Sequence, residues 1–193
     1  MEILQDKDKR TAQLIMQYKQ GDVQAFNALW RIWEHQLFNL IYNMVVDYDQ
    51  AKDILQRTII KTYQNLHQLQ DVQKFKPWLY RIAVNYCHSE LRKKTRVESI
   101  DHVLPHVLPM DFTTLNSLEK SDLKKQIVTL LQKLPEEQKI IIVMKEYEGM
   151  KFIEIADTLR LPINTVKSRL YYGLKALRKM LVDDPSLKAL YYE

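Results

Sequence analysis

The chain has a single cysteine, Cys87, and only three glycines in 193 residues. One cysteine excludes an internal disulfide and suits a reducing compartment. Three glycines are too few for phosphate-cradling loops or for the tight turns of a sheet, so helices are expected. No apolar run approaches the ~20 residues of a membrane span, and residues 1–10 are too polar for a secretory signal. A cytoplasmic protein without membrane insertion is the expectation. His35, His67, His88, His102 and His106 are scattered, and Cys87 and His88 are adjacent, which is wrong for two ligands on one helix face. No serine, histidine and acid set can be assembled either. No enzyme, cofactor or metal is expected. What is present is ordinary for a globular chain: 46% hydrophobic and 27% charged residues. A net charge of +5 and a pI near 9.1 fit a polyanionic partner without specifying one.

Two helical blocks flank an irregular stretch. A short helix over 11–19 ends before Gly21, and Asp22 is placed to cap the next. That second helix carries Phe26, Leu29, Trp30, Trp33, Leu37, Leu40, Ile41 and Met44 at three- and four-residue steps. Asp49 is the expected cap of a third helix bearing Ile54, Leu55, Ile59, Tyr63 and Leu66. Pro77 suits the first turn of a fourth, with Trp78, Leu79, Ile82, Ala83, Tyr86 and Leu91. Its end is basic: Arg92, Lys93, Lys94 and Arg96. Residues 97–120 lose the pattern, contain Pro105 and Pro109 and are mildly acidic, as in an extended linker. Helical pattern resumes with Leu123, Ile127, Leu130, Leu131 and Leu134, and Pro135 opens a helix expected to reach Tyr147. The expected fold is all-α, two small helical domains over 1–96 and 121–182, with a flexible linker over 97–120 and a tail over 183–193.

Residues 152–179 read as two helices joined by a tight turn. Ile153, Ile155, Ala156 and Leu159 give the first an apolar face, and Leu161 and Pro162 break it. Val166, Leu170, Leu174 and Leu177 stripe the second, whose other side is basic and carries no acid. Ala156 stands where only a small side chain lets two helices cross. This is the layout of a helix-turn-helix, whose second helix enters the DNA major groove. A plain helical hairpin with a solvated basic face is the competing reading.

The segments GDVQAFNALW, DILQRTIIKTYQNL, FKPWLYRIAVNYCHSELRKKTR and LQKLPEEQKIIIVMKEYEGMKFIEIADTLRLPINTVKSRL, in this order, resemble the extracytoplasmic-function (ECF) sigma factors. The resemblance runs over about residues 13–181. It implies a promoter-specificity subunit whose partners are core RNA polymerase and promoter DNA. It also implies an anti-sigma protein as a third kind of partner, though no residue here marks one. The first domain would bind the polymerase clamp through Asp53, Ile54, Gln56, Arg57 and Ile60. It would melt the −10 element, with Asn85 capturing a flipped base beside the loop 68–76. Lys74, Lys76, Arg81, Arg92, Lys93, Lys94 and Arg96 would meet phosphates there. Trp78, Tyr80 and Tyr86 offer a stacking platform, with Trp78 better read as core. The helix-turn-helix would read the −35 element through Asn164, Thr165, Lys167, Ser168, Arg169, Tyr171, Tyr172 and Lys175. Lys167 and Arg169 are the first choices for base contact, because Lys or Arg at a guanine edge is the commonest specific one.

The chain departs from the family pattern at several positions. Lys52 and Arg57 stand where an acid is common, Arg160 where glycine is frequent, and Tyr172 in place of a common arginine. Gly173 interrupts the recognition helix, at a cost of about 1 kcal/mol relative to alanine. Two other readings fit the residues alone: a free-standing regulator with a helical sensory domain, and a helical adaptor binding RNA or an acidic partner.

Overall fold

The computed structural model describes residues 2–97 and 127–183, with side chains described over 6–93 and 127–183. The chain divides into two compact units, Met1–Val107 and Leu108–Glu193. Among the described residues every regular element is helical. The expected linker, apart from Val97, and the tail beyond Asp183 lie outside the described residues, as does Leu123.

The first unit packs α1 (Glu2–Lys19), α2 (Val23–Val45), α3 (Tyr48–Asn65) and α4 (Phe75–Val97). Asp22 caps α2 as its position suggests, accepting from the amides of Gln24 and Ala25. The cap of α3 is Asp47, not Asp49: Asp47 accepts from the Gln50 amide and Asp49 falls in the first turn. Helix α1 starts well before residue 11, at Glu2. The stripe on α2 is the centre of this unit. Leu29, Trp33, Leu37, Leu40, Ile41 and Met44 are all buried. The Trp33 indole donates to Thr11 Oγ1 at 3.1 Å and meets Phe75 and Tyr80 edge-on. On α3 the buried row is Ala51, Ile54, Thr58 and Thr62. The two threonines tolerate burial because each hydroxyl donates at 2.7 Å to a carbonyl one turn back, Ile54 and Thr58. Of the three aromatics expected to form a platform on α4, Tyr80, not Trp78, is fully buried, beside Leu79, Ala83 and Cys87; Trp78 and Tyr86 stay half-buried.

The second unit comprises α5 (127–132), α6 (Glu136–Ile142), α7 (Phe152–Leu159) and α8 (Ile163–Asp183). The helix expected to run through Tyr147 stops as an α-helix at Ile142 and widens into a π turn, Val143–Tyr147. Gly149 then takes a left-handed φ of 61° to turn the chain into α7. The sharp turn to α8 is closed by the Leu161 amide on the Ala156 carbonyl at 3.0 Å. Arg160 sits there at φ 53°, the left-handed conformation that glycine adopts without strain.

Two apolar positions of the second unit differ from the sequence pattern. Ile153 is 63% exposed, on the side of α7 opposite Ile155, Ala156 and Thr158. On α8 the buried row is Val166, Leu170, Gly173 and Leu177, and Leu174 is 41% exposed. At ~100° per residue those four fall within about 60° of arc, whereas position 174 lies about 70° off their centre. Gly173 occupies the crossing with α6. A Cβ there would stand 2.8 Å from Ile142 Cδ1 and 3.2 Å from Gln138 Cβ.

Candidate nucleic-acid interface

Turning α8 away from its buried row brings Asn164, Ser168, Tyr171, Tyr172 and Lys175 to one outward face, all exposed. Tyr171 and Tyr172 meet edge-on with centroids 5.5 Å apart. The two residues expected to read bases flank that face. Lys167 leans toward α7, its Nζ 5.8 Å from the Phe152 ring centroid. Arg169 leans toward α6, where Nη2 pairs with Glu137 Oε2 at 2.5 Å. Thr165 is half-buried and its amide is already used by the Pro162 carbonyl at 2.9 Å. The amides of Ile163 and Asn164 precede it in the first turn, so they are the better donors to a phosphate. Glu137 and Phe152 were not legible as participants, because each lies far from residue 167 or 169 in sequence and meets it only through packing.

On α4 the buried row Leu79, Ala83 and Cys87 leaves Arg81, Asn85, His88, Ser89 and Arg92 on the opposite side. Asn85, His88, Ser89 and Arg92 line an open depression of about 380 Å³. It presents amide, imidazole, hydroxyl and guanidinium groups along two turns of one helix. Lys74 is exposed in the short turn before α4, and Lys76 Nζ lies 5.8 Å from the Tyr80 ring. Lys93 stands apart from Arg92. It pairs with Glu90 Oε1, on its own helix, at 2.9 Å. The side chains of Lys94 and Arg96 lie outside the described residues.

The five residues expected at the clamp separate on α3. Asp53, Gln56 and Ile60 share the exposed face, Ile60 at 49%. Ile54 does not: it is fully buried in the row facing the core, so it supports the surface from within. Arg57 is half-buried at the flank facing α4. Its guanidinium donates to Glu90 at 2.8 Å and to Asp53 at 2.5 Å, and lies over the Tyr86 ring. Arginine in place of an acid here is therefore a tie between α3 and α4, with its charge met by two carboxylates.

That tie has a pH signature. Hydrogen bonds from Lys93 and then Arg57 lower the Glu90 carboxyl below its ordinary range, outweighing the opposing effect of desolvation. A depressed folded pKa gives stability that is fully present above the unfolded glutamate value. It is lost as pH falls through the lower folded one. Glu90→Gln should flatten this acid limb in a titration of thermal stability, while Arg57→Glu, which gathers three carboxylates, should lower stability near neutrality as well. An acid limb unchanged in Glu90→Gln would remove Glu90 from the tie.

Residues 29–97 match the family model for sigma-70 region 2, and residues 124–177 match the one for sigma-70 region 4. The ECF RNA polymerase sigma factor SigW of Bacillus subtilis is 34% identical over 88% of this chain and 95% of its own length. The chain is an ECF sigma factor. The RNA polymerase sigma-H factor of Pseudomonas aeruginosa is 27% identical over 93% of this chain and 96% of its own. The fold agrees with a solved sigma factor RpoE from Bartonella quintana in complex with the anti-sigma factor NepR. That match has a TM-score of 0.70 at 21% identity, over 84% of this chain and 99% of that one. CnrH, solved with the cytosolic domain of CnrY, matches at a TM-score of 0.68 and 21% identity, over 91% of this chain and 99% of that one. Both polar faces described above fall inside the matched regions, the α4 face in region 2 and the α8 face in region 4. No described helix is long and apolar enough to cross a membrane.

Proposed function

We propose that this chain recruits core RNA polymerase to promoters and opens the DNA there, with no catalytic activity of its own. The observation that carries this is the presence of two separate polar surfaces, one on each unit. A regulator that only binds duplex DNA needs one. The outward face of α8, with Lys167 and Arg169 at its margins, takes the −35 element in the major groove. The Asn85 face of α4 takes a base flipped from the −10 element, and Arg81, Arg92 and Lys74 hold the neighbouring phosphates, which position the strand without specifying it. Asp53, Gln56 and Ile60 make the polymerase contact, with Arg57 holding that helix in place.

The chain works as two domains over 1–96 and 121–182, joined by the segment 97–120, and acts in the cytoplasm beside the polymerase. It has an anti-sigma partner as well, since the RpoE relative of this fold is solved with one. Run-off transcription with core polymerase tests the reading. Promoter-specific transcripts that depend on the chain are expected. Their absence, together with tight duplex binding by the free protein, would instead support a free-standing regulator.

A further inference from the structure

Arg169 is the only basic residue of the proposed reading face that is ion-paired among the described residues. Its partner comes from another helix: Glu137, in the first turn of α6. The carboxylate is 65% exposed and the arginine side chain 28% exposed. An ion pair this open to water contributes little to stability. Its consequence lies instead in what it does to the guanidinium beside a DNA-facing surface.

An arginine at the rim of a major groove has two kinds of acceptor within reach. A phosphate attracts it by charge, whatever the sequence. A guanine edge takes two N–H groups in a fixed geometry and is gained only at the right base pair. The guanidinium has five N–H donors in a planar fork, and Glu137 engages the Nη2 end, at 2.5 Å. Nη2 carries two N–H groups, and the one that Glu137 leaves free still forms a parallel pair with its neighbour on Nε or Nη1 for a base edge, in a plane held before DNA arrives. The paired negative charge also offsets the pull toward phosphate, which depends on net charge, more than it offsets hydrogen bonding to a neutral base. We propose that Glu137 is a specificity-determining positioning residue: it holds Arg169 for a base edge and withholds it from the DNA backbone. This rests on the reading of α8 as the −35 helix with Arg169 in base contact.

The experiment uses the full chain assembled with core polymerase and a duplex library randomised across the upstream element. Binding is sequenced over a salt series for the parent, Glu137→Gln, Arg169→Ala and the double variant. Glu137→Gln keeps the shape and removes the charge. It should weaken the preference at the base pair read by Arg169 by about fivefold, within the range of one bidentate contact. Binding to non-preferred sequences should rise, and the salt dependence should steepen by up to about one phosphate equivalent. In the Arg169→Ala background the same change should leave base preference unmoved, and the melting temperature should not change in either background. If Arg169→Ala itself shifts no base preference, the base-contact reading fails and this inference falls with it. If Arg169→Ala shifts a preference and Glu137→Gln does not, the base contact stands and the positioning role of Glu137 is overturned.

Discussion

Asn85→Ala should leave the first, duplex-bound complex intact and remove most promoter opening. Asn85 is exposed on the side of α4 opposite the core, in the depression it shares with His88, Ser89 and Arg92. Taking a base out of the stack costs a few kcal/mol, and a site that holds it must return that through hydrogen bonds to the base edge. An amide offers both a donor and an acceptor, and losing such bonds at about 1–3 kcal/mol lowers the open fraction by about fivefold or more. Permanganate reactivity of thymines in the −10 region, followed beside upstream binding, reads the two stages separately. A pre-melted bubble template removes the pairing cost but not the defect in capture, so rescue should be incomplete. Because Asn85 packs against nothing in the core, the variant should melt like the parent. Opening at the parent level in Asn85→Ala would reduce Asn85 to a surface amide. In the same assay Arg92→Ala should flatten the salt dependence more than Lys93→Ala, because Lys93 is engaged by Glu90 and Arg92 faces the depression.

The second large effect is one of stability, and there the sequence and the structure predict opposite signs. Helix propensity alone makes Gly173→Ala favourable by about 1 kcal/mol. The structure places Gly173 at the α6–α8 crossing, with an added Cβ 2.8 Å from Ile142 Cδ1 and 3.2 Å from Gln138 Cβ. Ile142 is itself only 2% exposed, so it has no room to yield. Overpacking of about 1–3 kcal/mol should exceed the propensity gain. Gly173→Ala should therefore lower the stability of the second unit modestly, and Gly173→Leu by about 3 kcal/mol or more. Leu174→Ala, one residue on at 41% exposure, should change it little. The measurement is a denaturant titration following the second unit. A stabilised Gly173→Ala would show that the crossing relaxes freely and that α8 could be built without glycine.

The sequence by itself determined the helical class, the two blocks, the helix-turn-helix and the family. Each of these depends on local chemistry or on periodicity: Asp22 caps α2 by its own side chain, Pro162 ends the run before α8, and Trp33 and Leu37 recur at helical spacing. Local chemistry also left near-ties that only packing broke. Asp47 and Asp49 are both competent caps, and the position of α3 chose the first. Leu174 and Gly173 are neighbours on one helix, and the approach of α6 decided that the glycine, not the leucine, faces the core. Ile54 reads equally as a contact residue or as core until the direction of its helix face is known. The ion pairs between helices were out of reach of the sequence. Arg57 with Glu90, and Arg169 with Glu137, join residues 33 and 32 positions apart. Charge is visible in a sequence, but which charges meet depends on how helices cross, and crossing is settled by the summed fit of their buried faces.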